Sequence, residues 1–314
     1  MPAAPTQHAD APRNPIALAL RDIKLAHTVF ALPFALLGAC LATPALRADP
    51  PEGAWPRFAA QLALVVVCMI FARTWAMLVN RVADRRFDAR NERTARRAVA
   101  SGALPARAAL VIALASAAAF TLACAAFYLL FDNPWPVILA LPTLAWIALY
   151  SYTKRFTALC HLFLGGALAA SPLAAAIAVA PDALAHTPAI YALALMVALW
   201  VAGFDVLYAL QDIDFDRSEG LHSIPARLGT RRAAILSRAM HALALGALVA
   251  TLLLDPRLGA IFAIAVLGVA ALLVFEHTHV ARRGLAGLPV AFGLVNGAIS
   301  IALSLAGALD LLLR

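Results

Sequence analysis

Charge is scarce in this chain. Only 13% of its 314 residues are Asp, Glu, Lys or Arg, too few to coat a soluble protein of this size. Nucleotide and hydrolase signatures are missing as well. The sequence holds no GxxxxGK[ST] phosphate loop, no GxGxxG, no GxSxG and no HExxH. ATP-driven transport and dinucleotide chemistry are disfavoured on that ground. Cysteine supplies only Cys40, Cys68, Cys124 and Cys160, each inside an apolar run. With no CxxC spacing and no histidine at zinc-ligand distance, they read as small buried hydrophobes. The opening residues, MPAAPTQHADAPRNP, lack the basic start and apolar core of a cleavable signal peptide. Polar and proline-rich, residues 1–15 are expected to form a disordered tail.

What is abundant is apolar. Hydrophobic residues make up 63% of the chain, and the mean hydropathy is +0.85. A membrane span needs about 20 mostly apolar residues. Nine candidate segments run roughly 25–45, 58–80, 106–131, 134–150, 157–180, 187–210, 232–254, 257–275 and 286–312. The chain is therefore expected to be an all-α polytopic membrane protein, with one domain over 16–314. Small residues recur, as in Gly165-Gly166-Ala-Leu-Ala-Ala-Ser171, and they let helices approach closely.

The net charge of +8 could suggest nucleic acid, but its distribution points to topology. Twenty of the 25 basic residues fall in the N-terminal tail and the loops after the second, fourth, sixth and eighth segments. The other side holds only Arg47, Arg57, Arg257 and Arg314, and Arg73 lies inside a segment. The positive-inside rule places the N-terminus and the arginine-rich loops in the cytoplasm.

Two acidic stretches sit on that side. Asn80-Arg-Val-Ala-Asp84-Arg-Arg-Phe-Asp88 follows the second segment, and Tyr208-Ala-Leu-Gln-Asp212-Ile-Asp-Phe-Asp216 follows the sixth. Both contain D-x-x-F-D. On a continued helix, residues four apart stack on one face. Asn80, Asp84 and Asp88 would form one such row, and Tyr208, Asp212 and Asp216 a second. Carboxylates gathered at the mouth of a bundle repel unless a counter-charge is present. Carboxylate and amide oxygens suit Mg²⁺, which commonly bridges to substrate phosphates. Two such rows could hold Mg²⁺ ions with a diphosphate between them. Arg73 lies two turns before Asn80, at a depth where a charge is costly and a functional candidate by default. Asp205 is buried seven positions before Asp212. Lys24, Lys154 and Arg155 stand at span ends, where they could reach phosphates or an anionic acceptor; Lys154 and Arg155 equally suit a topology signal. His222, His277 and His279 read as solvated loop residues. A cation-coupled transporter is the rival outside enzymes, but it predicts acids near the mid-membrane. Here all except Asp205 sit at the edge.

The paired rows resemble the signature of the UbiA superfamily of intramembrane aromatic prenyltransferases. So do Arg73 in FARTWAMLVN, Tyr150-x-x-x-Lys154-Arg155 and the stretch from Asp205 to Gly229. The resemblance covers nearly all of the chain after the tail. It implies nine transmembrane helices around a central cavity, with cytoplasmic cap loops. It implies Asn80, Asp84, Asp88, Asp212 and Asp216 as the Mg²⁺–diphosphate set, with Arg73 and Lys154 on the diphosphate and Lys24 and Arg155 as weaker counterparts. Tyr150 and Tyr208 would line the cavity, and Asp205 would orient or deprotonate the acceptor. A polyprenyl diphosphate would be the donor and an aromatic acid the acceptor. The setting would be a bacterial-type inner membrane, with the protein multi-pass in the lipid. The segments Ile23-Lys24-Leu-Ala-His27-Thr-Val-Phe30-Ala-Leu-Pro33-Phe34, Asp88-Ala-Arg-Asn91-x-Arg93-Thr94 and Gln211 to Pro225 look like the 4-hydroxybenzoate polyprenyltransferase-like branch, which includes the futalosine-pathway menaquinone enzyme. The first departs from the R-L-D-K/R-P-I-G pattern of ubiquinone enzymes. Either 4-hydroxybenzoate or 1,4-dihydroxy-6-naphthoate is then the expected acceptor, in ubiquinone or menaquinone biosynthesis. Haem or chlorophyll-tail attachment is the alternative inside the superfamily.

Overall fold

The computed structural model describes residues 14–23 and 30–313. Lys24, and the tail up to residue 13, lie outside the described residues. Every regular element among the described residues is helical. A short α1 (Pro15–Ile23) precedes α2 (Leu32–Ala42), α3 (Ala54–Arg90), α4 (Ala106–Phe131), α5 (Trp135–Thr153) and α6 (Cys160–Val179). After the single turn α7 (Ala183–His186) come α8 (Ala189–Tyr208), the short α9 (Ile213–Ser218), α10 (Ile224–Leu254), α11 (Ala260–Arg283) and α12 (Asn296–Leu312).

Eight helical stretches among the described residues are long and apolar enough to cross a membrane. They match the second to ninth expected segments. Of the first expected segment, residues 30–45 are described, and among them the 11 residues of α2 are α-helical, followed by a tight turn at Pro44–Leu46. At 1.5 Å per residue, α2 covers about 16 Å, roughly half a hydrocarbon core. Pro33 sits in its first turn, where a missing N–H costs nothing.

Other boundaries also move. α3 does not stop with its apolar run at residue 80 but continues to Arg90, carrying the first acidic row on unbroken helix. α11 runs on to Arg283, so His277 and His279 are helical residues, not loop residues. His277 Nε2 lies 3.0 Å from Nδ1 of buried His241. His222 is exposed as expected. All four cysteines are free thiols.

α10 starts at Ile224, eight residues before its apolar run. Ser223 caps it, its hydroxyl accepting from Ala226 N–H at 3.2 Å. Gly229 then breaks the helix with φ +76 and ψ 168, a conformation open essentially to glycine alone. Gly229→Ala is expected to lower stability by about 1–3 kcal/mol, read as a fall in the thermal unfolding midpoint. An unchanged midpoint would show that the break is not fixed by glycine.

α8 is the most enclosed helix, packed between α6 and α10. Its Trp200 is fully buried and meets the edges of Phe34 at 5.4 Å and Phe204 at 5.0 Å. The indole N–H donates to Asn296 Oδ1 of α12 at 2.8 Å, satisfying a donor that would otherwise be buried unpaired. The α6 backbone comes so close to α8 that a Cβ on Gly165 would lie 2.2 Å from the Ala198 carbonyl oxygen. α8 is thereby pinned on several sides, and it delivers Asp205 and Tyr208 to a fixed place.

Candidate active site

A cavity of about 610 Å³ opens between α3, α4, α5, α6 and α8. Its depth is apolar, lined by side chains such as Val65, Met69, Phe120, Phe127 and Leu168. Its rim carries Asp84, Asp88, Asp212 and Asp216. The two acidic stretches, 128 positions apart in sequence, therefore face one cavity. Arg73, Asn80, Tyr150, Lys154, Asp205 and Tyr208 line it too. Asp214, two residues from Asp212, is exposed and outside it.

The α3 row forms as the spacing predicts. Asp84 and Asp88 are both buried. Asp84 Oδ2 takes an ion pair from Lys154 Nζ at 2.9 Å and a hydrogen bond from Asn80 Nδ2 at 3.1 Å. Asn80 in turn accepts from Arg81 through its Oδ1 at 2.9 Å. Asp84 Oδ1 is buried and accepts no hydrogen bond; Arg155 stands 3.7 Å from it. Arg155 itself turns toward the α3 backbone, donating to the Ala83 carbonyl at 2.7 Å, and is not among the residues that line the cavity.

The second row is not a continuous helix. α8 ends at Tyr208, a 3₁₀ turn covers Ala209–Asp212, and α9 begins at Ile213. Gln211 Nε2 donates to the Tyr208 carbonyl at 2.7 Å, taking up an acceptor at the joint. Asp212 sits at φ −109, ψ 8, in the sparsely populated bridge region. The sequence repeat is thus not a structural repeat: one acidic row is straight and the other is jointed.

Two arginines of the α3–α4 loop complete the rim. Arg93 grips Asp212 in bidentate fashion, NH2 to Oδ2 at 2.6 Å and Nε to Oδ1 at 3.1 Å. It also reaches Tyr208 Oη at 3.2 Å, and Asn91 Nδ2 donates to Asp212 Oδ1 at 3.0 Å. Burial draws the Arg93 guanidinium down, but the Asp212 hydrogen bond and charge outweigh it and hold its pKa above the usual value. Arg97 NH1 spans both oxygens of Asp88 at 2.8 and 2.9 Å. Ser223 Oγ donates to Asp216 Oδ2 at 2.7 Å. The rim carboxylates thus each have a protein partner on at least one oxygen, and among the described residues no three His, Cys, Asp or Glu side chains converge into a ready-made cation cage. The donor set still suits a hard divalent ion: four carboxylates on one cavity, one of them with a buried, unbonded oxygen.

Residue types alone did not single out Arg93, Arg97 or His161. Asn91 and Arg93 were visible only within a family-like motif. His161, on α6, places Nδ1 2.6 Å from Asp205 Oδ2; 44 residues separate the pair, and no local spacing reports it.

Known proteins share the sequence pattern and the fold. The model of the UbiA prenyltransferase family matches residues 31–300. A protein named 4-hydroxybenzoate octaprenyltransferase, from Alkalilimnicola ehrlichii, is 29% identical over 225 residues, 71% of this chain and 72% of that relative. A UbiA homologue from Aeropyrum pernix superposes with a TM-score of 0.78 at 32% identity, covering 90% of this chain and 98% of the other. A UbiA homologue from Archaeoglobus fulgidus, solved with DMAPP and Mg²⁺, gives 0.68 at 16% identity over 93% and 98%. With the family model spanning nearly all of the helical bundle, the chain belongs to the UbiA prenyltransferase family.

Proposed function

We propose that this prenyltransferase moves a polyprenyl group from a polyprenyl diphosphate to the ring of an aromatic hydroxy acid. The observation that carries this reading is the meeting of Asp84, Asp88, Asp212 and Asp216 on the rim of one cavity whose depth is apolar. A diphosphate with a long hydrocarbon tail has the matching two-part character. Burying the tail contributes about 0.8 kcal/mol per CH₂, and the apolar wall keeps water from a reactive allylic cation.

Asn80, Asp84, Asp88, Asp212 and Asp216 would hold Mg²⁺, the ion with which the Archaeoglobus homologue was solved alongside DMAPP. Bound there, the metal would neutralise the diphosphate as it departs. Arg73 and Lys154 supply positive charge to the diphosphate from the cavity wall. Arg155, 3.7 Å from Asp84 Oδ1, would add to the field at its edge. Arg93 and Arg97 lie close enough to exchange an aspartate partner for a phosphate oxygen. Tyr150 and Tyr208 line the space where the acceptor ring would lie, and Asp205 faces it from α8. The arginine-rich end would be cytoplasmic, in a bacterial-type inner membrane, by the charge bias of the loops. The acceptor would be 4-hydroxybenzoate, as the name of the Alkalilimnicola relative implies, or 1,4-dihydroxy-6-naphthoate, since the Ile23–His27 stretch departs from the pattern of ubiquinone enzymes.

Purified protein assayed with a long prenyl diphosphate and each acid is expected to yield a prenylated product with Mg²⁺ and none in EDTA. Full turnover in EDTA would overturn the metal assignment. Failure to prenylate either acid, with Mg²⁺ present, would overturn the acceptor class.

A further inference from the structure

His161 lines the cavity beside Asp205, yet its side chain is only 3% exposed, against 24% for Asp205. Both ring nitrogens are engaged. Nε2 accepts from Ile224 N–H at 3.3 Å, and Nδ1 lies 2.6 Å from Asp205 Oδ2. A backbone amide only donates, so Nε2 carries the lone pair. The ring proton is then on Nδ1, directed at the carboxylate. Ile224 is the first residue of α10, whose N–H has no partner within its own helix. His161 on α6 thus ties α8 to the start of α10.

We propose that His161 is the positioning residue for Asp205 in prenyl transfer. By donating from Nδ1 to Oδ2, it fixes the carboxylate so that Oδ1 faces the acceptor hydroxyl. The inference rests on the reading of Asp205 as the group that meets the acceptor. As the ring carbon beside the hydroxyl bonds to the allylic carbon, the allylic carbon–oxygen bond to diphosphate breaks and the hydroxyl proton passes to Asp205. The ring carbon then loses its own hydrogen as a proton to the released diphosphate, and Asp205 returns its proton to the ring oxygen. Diphosphate and one proton are the net by-products. Through Nδ1–H the imidazole holds Asp205 from a fixed place on α6, as Arg93 holds Asp212 from the α3–α4 loop.

Three variants separate this role from simple packing. The amide nitrogen of asparagine overlays histidine Nδ1, whereas the amide of glutamine reaches the Nε2 position, where its carbonyl oxygen can accept from Ile224 N–H. His161→Asn therefore keeps the donor to Asp205, and His161→Gln keeps only the contact near Ile224. In His161→Gln and His161→Ala, kcat with saturating acceptor is expected to fall roughly 100-fold, with the prenyl diphosphate Kd within about twofold of the parent and His161→Asn within about tenfold of parental kcat. Kd is read by binding of radiolabelled prenyl diphosphate with Mg²⁺, which also reports folded protein. A purely structural role predicts the reverse order, with glutamine tolerated and asparagine not. Parental kcat in His161→Gln, or His161→Asn no better than His161→Ala, would overturn the proposal. Parental kcat in Asp205→Asn would instead overturn the reading of Asp205 itself. Loss in Asp205→Asn with full activity in His161→Gln would overturn the pairing alone.

Discussion

Asp84→Ala and Asp212→Ala are each expected to abolish prenyl transfer, lowering kcat by about 10³-fold or more, while the protein remains folded. The two residues stand on opposite arms of the rim, Asp84 on straight α3 and Asp212 at the joint between α8 and α9. Removing either takes one arm away from the leaving diphosphate. The folded state should tolerate the change. Lys154 and Arg93, the cations left behind, are 31% and 32% exposed, so water can solvate them, and an ion pair at such positions contributes only about 1 kcal/mol. Transfer assays beside thermal unfolding in the same detergent separate the two effects. Parental turnover in either variant would refute the placement of the diphosphate between the arms.

Gly165→Ala is expected to do the opposite, removing folded protein before chemistry is reached. Its added Cβ would fall 2.2 Å from the carbonyl oxygen and 3.1 Å from the carbonyl carbon of Ala198. Both are backbone atoms of α8, so no side chain can swing aside and the two helices must part. Overpacking of this kind costs about 1–3 kcal/mol and sometimes more, and here it strikes the helix that carries Asp205. Gly166→Ala is the control. Its Cβ meets the Trp146 indole at 3.2 Å, a side chain with room to yield. Folded yield and unfolding midpoint should drop sharply for Gly165→Ala and little for Gly166→Ala. Equal behaviour would show that the α6–α8 approach is not tight.

Much of this architecture could be read before the fold was known. Hydropathy located the helical stretches that cross the bundle, because a lipid core leaves a long apolar run few alternatives to a helix. The four-residue spacing of Asn80, Asp84 and Asp88 held because α3 continues unbroken past its apolar run. The small-residue stretch from Gly165 to Ser171 marked close packing, and Gly165 meets α8 in that way. The second acidic row misled for a physical reason. Ala209-Leu-Gln-Asp212 contains neither glycine nor proline, so nothing local announces a break. Its partners arrive through space: Arg93 from 119 positions away and Asn91 from 121. His161 was invisible for the same reason. Its partners, Asp205 and Ile224, lie on other helices. Boundaries slipped where polar residues ride on helix outside the apolar band, at the end of α3 and at the start of α10.

The length of α3 bears on the direction of the proposed reaction. At 1.5 Å per residue its 37 residues extend about 55 Å, against a hydrocarbon core of roughly 30 Å. The acidic row rides on the overhang, while Val65 and Met69 of the same helix line the apolar depth. A donor bound along it straddles an oil–water boundary, and the bond to be broken lies at that boundary. Once it breaks, the two fragments belong to different phases. The diphosphate is soluble in water and dilutes away, whereas the prenylated ring stays in the bilayer. The reverse reaction would need both to meet again at the same interface, so the partition of the products, as much as the chemistry, drives the transfer forward.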